Sequence, residues 1–413
     1  MKIVAGVAGI FITRALGPLD KGIYLYLTVI LALVTQITAG DAAAIAWQWG
    51  KQRLPERAVF SAGALVGGCI AVVAAAILIL CALLWHNWFL LVVVAALPFA
   101  NLSQLCTSFF VTKQRVDLIN IQTTFTGTVL PITAAVCAYA FHQKLVAVLV
   151  VWLLAQAVVA AFSVRMLSKM FRLVPLVLQR TVLSAHVRFA FQACGQQLLA
   201  YLNSKVDLLV VLLVLGTAQL GIYSVAIAGN ELLWMFTRAL SIAAFSRIAS
   251  EETEHAAALT ARCIRHGLLV ASSVAIVGIA SAPLIPLVYG TAFSPAVLAL
   301  RLVLPGAVIW SCMDVLTAFF STQYGRPVIA LSIQSLSALI CGSVTLFLAP
   351  RLGIAAGALG SSLGYAIGGT LAIILFARTT GTALASILIP RRADLLAYPT
   401  LLTRVFRARF ATP

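Results

Sequence analysis

The feature that most constrains this chain is a succession of apolar runs, each about as long as a lipid bilayer is thick. They cover residues 3–16, 22–48, 58–85, 88–111, 118–140, 145–164, 189–213, 221–245, 267–288, 302–322, 328–349 and 353–377. A helix rises 1.5 Å per residue, so crossing a hydrocarbon core of about 30 Å takes about 20 residues. Most of the runs meet that length. They are Ala, Val, Leu and Ile all round, without the one-sided stripe of a soluble helix. Composition agrees: 62% of the 413 residues are hydrophobic and 9% charged, against about 25% charged in a soluble domain. So little polar surface excludes a water-soluble body, and so much apolar content excludes a disordered one. The expectation is an all-α polytopic membrane protein with about 12 transmembrane helices.

The first run is short. Eleven residues, Ile3 to Thr13, separate Lys2 from Arg14, about 17 Å of helix. A start codon placed too far downstream would explain this. A signal peptide is the alternative, and the repeat described below argues that the segment is structural.

A net charge of +17 in a soluble protein points to nucleic acid. Here the positions of the basic residues decide otherwise. With the N-terminus in the cytoplasm and twelve crossings, 22 Lys and Arg fall on the cytoplasmic side, counting Arg238 at the border of run eight, and 5 on the outer side, with Lys205 inside a span. That asymmetry is the positive-inside pattern. It places both termini in the cytoplasm and leaves no need for a nucleic-acid partner.

The chain also repeats itself. Leu16-Gly17-Pro18-Leu19-Asp20-Lys21-Gly22-Ile23-Tyr24 lies between runs one and two. Leu215-Gly216-Thr217-Ala218-Gln219-Leu220-Gly221-Ile222-Tyr223 lies between runs seven and eight. Both read LGxxxxGIY, 199 residues apart. Thr107–Thr112 and Thr317–Thr322 share TxFFxT at an offset of 210, and Leu97-Pro98 matches Leu304-Pro305 at 207. Preserved order with a slowly drifting offset is what a six-plus-six duplication leaves behind. Six crossings bring each half back to the same side, so the repeats are parallel, and that architecture places a substrate site near the midplane around a central cavity. The expected organisation is an N-terminal six-helix lobe (1–164), a cytoplasmic linker (165–188), a C-terminal six-helix lobe (189–377) and a basic cytoplasmic tail (378–413). Residues 246–266, with three glutamates and three arginines, read as a solvated helical linker. Gly360, Gly364 and Gly368 recur every four residues in run twelve, a spacing that lets two helices approach closely.

Ionisable groups within membrane spans are costly and mark function by default. The candidates are Asp41 in run two, Lys205 and Asp207 in run seven, Glu231 and Arg238 in run eight, and Asp314 in run ten. Lys205 and Asp207 are about 200° apart around a helix and face different ways, whereas Glu231 and Arg238, two turns apart, share a face. Each has two readings. One is an internal ion pair that packs helices. The other is contact with an anionic substrate through Lys205, Arg238 and Arg14, or coupling-ion binding at the carboxylates. No HExxH, GxSxG or phosphate-loop motif occurs, so the chain reads as a transporter and not an enzyme, with no cofactor and no metal site. The eight cysteines lack metal-ligand spacing and read as small packing residues.

The segment ITRALGPLDKGIY (12–24) resembles the first connection of bacterial polysaccharide-unit flippases. So does the stretch from Leu198 to Ser250, with its GIY turn and its closing Ser-Arg-Ile. VYGTAFSPAVLALRLVLPG (288–306) and LAPRLGIAAGALGSSLGY (348–365) are similar to that family's later connections. The family sits within the multidrug, oligosaccharidyl-lipid and polysaccharide exporter superfamily. The resemblance implies two six-helix lobes around a V-shaped cavity in the bacterial inner membrane. It implies translocation of an undecaprenyl-diphosphate-linked oligosaccharide for surface polysaccharide assembly, with a polymerase and chain-length machinery as partners. It also implies cationic cavity residues for the diphosphate or for acidic sugars, here Arg14, Lys205 and Arg238. A cation-coupled multidrug exporter, a lipid II flippase and a polysaccharide polymerase are the alternatives.

Overall fold

A computed structural model of the chain describes residues 2–38, 45, 48–49, 54–142, 144–171 and 176–389. Among these, every regular element is helical. The long helices are α1 (Lys2–Thr38), α2 (Glu56–Leu84), α3 (Leu90–Thr112), α4 (Val116–Ala140), α5 (Lys144–Met170), α6 (Arg180–Ser250), α7 (Thr253–Ser281), α8 (Ala296–Thr322), α9 (Pro327–Leu352) and α10 (Ile354–Thr380). A short α11 (Leu384–Leu388) follows. Ten of the described helices are long and apolar enough to cross a membrane.

Ten helices accommodate twelve expected spans because α1 and α6 each carry two. At Gly17 the backbone takes φ 71°, ψ 179°, and at Gly216 φ 81°, ψ −178°. That region of dihedral space is open essentially only to glycine. In α6 the consequence is measurable. The Tyr223 hydroxyl donates to Asp207 Oδ2 at 2.8 Å, although 16 residues of straight helix would separate them by about 24 Å. The chain therefore doubles back at Gly216. Gly17, with the same dihedrals and Pro18 behind it, makes the same turn in α1. The sequence leads one to expect loops at 17–21 and 214–220, but a single glycine in each suffices.

The second repeated motif is equally well matched. Phe109, Phe110, Phe319 and Phe320 are all fully buried. The Lys113 N–H donates to Phe109 O and the Arg115 N–H to Phe110 O; the Gln323 N–H donates to Phe319 O and the Arg326 N–H to Phe320 O. Each turn passes through one left-handed residue, Gln114 (φ 55°) in the first copy and Gly325 (φ 60°) in the second. The first bond of each turn matches at the offset of 210, and the second is one residue longer in the second copy.

By spatial compactness the chain divides into two units, 1–224 with 285–294, and 225–284 with 295–413. In the first, an aromatic cluster of Trp49, Phe60, Phe109 and Phe171 ties together α2, α3 and the segment after α5, with ring centroids 5.0–6.0 Å apart. In the second, α10 packs closely on α9 and α8. The expected glycine seam does this. A Cβ on Gly364 would lie 2.5 Å from the Ser337 carbonyl oxygen, and one on Gly368 would lie 2.8 Å from the Trp310 ring. The span expected from residue 267 begins earlier, because α7 runs unbroken from Thr253. Much of the expected linker 246–266 is therefore the first half of a long helix. Its apolar side (Ala256, Ala257, Ala261, Ile264) is buried against α8, α10 and α11.

Candidate functional site: charges among the membrane helices

Most of the charged candidates sit on the long apolar helices of the second repeat. Asp207, on the segment of α6 before its turn, is 2% exposed. Its Oδ2 accepts from Tyr223 Oη and its Oδ1 from the Leu208 N–H, both at 2.8 Å. Burial of a carboxylate needs such donors, because an unpaired buried charge costs several kcal/mol. Asn203, one turn earlier on the same face, is buried as well. Lys205 is half-buried, in keeping with the different direction its spacing requires.

Past the turn, Glu231 and Arg238 are both exposed, as a shared helix face predicts. Arg238 Nε reaches Asp314 Oδ2 on α8 at 3.4 Å, and the two side chains are 66% and 48% exposed. The contact is single, long and open. A charge facing lipid at the bilayer centre costs about 2.5–3.5 kcal/mol on insertion scales, so an exposed pair on apolar helices is costly wherever water does not reach it. Trp234, one turn before Arg238, packs edge-on against Tyr365 at 5.2 Å, and Trp310 lies 5.3 Å from the same tyrosine. An aromatic cluster therefore flanks the ion pair.

Arg14 is exposed three residues before the Gly17 turn. Asp41 lies outside the described residues. Of the sequence candidates, the structure brings Arg238 and Asp314 together. Asp207 is instead joined to a residue that sequence reasoning valued only as part of a repeat: Tyr223 ends the second LGxxxxGIY. Its proximity to Asp207 depends on the reversal at Gly216, which helical periodicity does not report. Elsewhere, Arg115 makes a two-pronged pair with Asp117 at 2.7 and 2.9 Å in the turn after α3. The hydrogen bond and the carboxylate charge hold the guanidinium pKa above its ordinary value. A cavity of about 580 Å³, lined in part by Thr253, Glu254, Arg265, Tyr324 and Thr380, opens near the start of α7 and contains none of the candidates. Among the described residues no group of three His, Cys, Asp or Glu is placed to hold a metal ion.

Residues 11–298 match the family model described as polysaccharide biosynthesis protein. The chain belongs to that family. No curated protein matches this member. Its fold is shared with solved transporters of low sequence similarity. One is a multidrug resistance MATE family transporter of the MOP superfamily in an inward-facing conformation. It has 13% identity and a TM-score of 0.70, with 92% of this chain and 95% of that one covered. Another is the lipid II flippase MurJ in an inward closed conformation. It has 12% identity and a TM-score of 0.72, with 100% and 94% covered. A third, from Pyrococcus furiosus, is a MOP superfamily transporter described as having a binding pocket of reverse polarity. It has 14% identity and a TM-score of 0.59, with 93% and 92% covered. This polysaccharide biosynthesis protein is accordingly a multi-pass membrane protein of the fold on which those transporters are built.

Proposed function

We propose that this family member is a flippase. It carries undecaprenyl-diphosphate-linked oligosaccharide units across the bacterial inner membrane, by alternating access, for surface polysaccharide assembly. The observation that carries the reading is the Arg238–Asp314 pair. It is a weakly held guanidinium at membrane depth, exposed, with an aromatic cluster beside it. A diphosphate is a strong bidentate partner for arginine. It displaces a 3.4 Å single contact and leaves Asp314 free to take up a proton or a cation. Arg14 and Lys205 are the other cations that the family resemblance assigns to the substrate. Asp207, held by Tyr223, fixes the hairpin of α6 that carries Lys205. Family membership supports the polysaccharide context. Both termini lie in the cytoplasm in this reading, and a polymerase and chain-length machinery receive the flipped unit.

The test is made in a deletion strain of the source bacterium, scoring surface polysaccharide and the sidedness of its lipid-linked precursor in inverted membrane vesicles. The flippase reading expects loss of surface polymer with precursor trapped on the cytoplasmic face, restored by the intact gene. Normal polysaccharide with new sensitivity to cationic dyes overturns it in favour of a cation-coupled multidrug exporter. Single units already on the outer face, with no polymer, point to a polymerase.

A further inference from the structure

The two glycine turns meet each other. A Cβ built on Gly22 would collide with the Thr217 carbonyl oxygen and come within 3.1 Å of the Gly221 amide nitrogen. A Cβ built on Gly221 would collide with the Pro18 carbonyl oxygen and come within 2.9 Å of the Gly22 amide nitrogen. Residues 18 and 22 correspond to 217 and 221 at the repeat offset of 199. The two clashes are therefore one contact seen from both sides. Residue i touches j′ while j touches i′, which is the signature of a two-fold axis. The pseudo-symmetry axis of the duplication passes between Gly22 and Gly221. Nothing but main chain fits there.

Main chain against main chain, with both side chains deleted, is how two helices approach most closely. The contact is sited at the turns. Gly22 lies five residues past Gly17, and Gly221 five past Gly216. In the orientation set by the basic residues, both turns are on the outer side. We infer that the Gly22–Gly221 contact is the outer gate of the transport path, closed in this conformation, and that releasing a unit to the outside requires it to part. The inference rests on the alternating-access reading above. Its logic is steric. Helix ends that must separate and re-close on a symmetry axis need a contact with no interdigitated side chains to unlock. A glycine pair gives a tight seal and a clean separation.

The experiment places spin labels at Leu19 and Gln219, both exposed beside the contact. It uses a full-length variant whose native thiols are replaced and which still supports polysaccharide export, in lipid nanodiscs. Pulsed dipolar distances are read with and without a short-chain polyprenyl-diphosphate oligosaccharide. The gate predicts a short and a long population whose ratio shifts with that probe. One short population under every condition, in protein that still transports, overturns it. Gly22→Ala and Gly221→Ala are expected to enlarge the long population about tenfold and lower transport. Gly9→Ala, which has open space around its Cβ, should change neither. If the alanine variants do not fold, the label pair alone decides. Two populations without flipping of any lipid-linked saccharide keep the gate and remove the flippase reading. Flipping with one population does the reverse.

Discussion

Gly17 and Gly216 adopt nearly the same dihedral angles, yet the helices they join carry different chemistry. Subtracting 199 maps Lys205, Asp207, Glu231 and Arg238 onto Gly6, Ala8, Ala32 and Ala39, and the 210 offset maps Asp314 onto Gln104. Every one of these charges has an uncharged counterpart. Arg14 runs the other way and corresponds to Leu213. The tyrosines at the two GIY turns diverge too. Tyr223 donates to a buried carboxylate, whereas Tyr24 stacks edge-on against Trp152 at 6.4 Å. What the duplication preserved is therefore backbone: two glycine hairpins, two FF turns and the hydrogen bonds that close them. Side-chain chemistry became concentrated in the second copy. In the proposed alternating-access reading, symmetry serves a scaffold whose halves hinge alike, whereas a substrate charged at one end calls for no such symmetry.

That comparison can be broken at several points. The largest effect is expected from Arg238→Gln. Losing a charge-assisted contact of about 1.5–3 kcal/mol corresponds to a loss of roughly ten- to hundredfold. It should appear in precursor flipping, with protein abundance unchanged. Full activity in this variant would remove the chemical distinction between the copies. Next come Gly17→Ala and Gly216→Ala. Each forces a side chain into backbone space costing about 1–3 kcal/mol, and thermal unfolding in detergent should fall equally for the two. A marked inequality would mean that the turns are alike in geometry but not in importance. Tyr223→Phe strips a donor from buried Asp207 and should destabilise by about 1–3 kcal/mol. Tyr24→Phe should stay within about 0.5 kcal/mol, and a melting comparison of the pair measures the divergence directly. The smallest effect belongs to Arg115→Gln. Its pair with Asp117 lies on the surface, exposed pairs contribute little, and transport should change less than about twofold.

Much of the fold was legible because membrane insertion is a local requirement. Each span must be long and apolar by itself, so run lengths, basic asymmetry and repeat motifs could be read without knowing any contact. The seam at Gly360, Gly364 and Gly368 was readable for the same reason, since close helix approach needs small residues at fixed spacing. The site was less legible. Arg238 and Asp314 could be nominated as rare charges, but their pairing across 76 residues could not. Tyr223 was visible only as a repeated letter. The loops expected around Gly17 and Gly216 failed because hydropathy reports where a helix leaves the membrane, not how few residues the reversal takes.

The amino-acid sequence by itself determined the membrane class, the number of crossings, the duplication and the roster of charged residues, all of which follow from side-chain polarity summed along one dimension. Tertiary structure alone decided which charges meet, which are buried, and that Gly22 and Gly221 lie on a shared axis. Those outcomes depend on two backbone dihedrals far apart in the chain. Bringing remote helices within van der Waals distance is a property of the packed assembly and not of any segment.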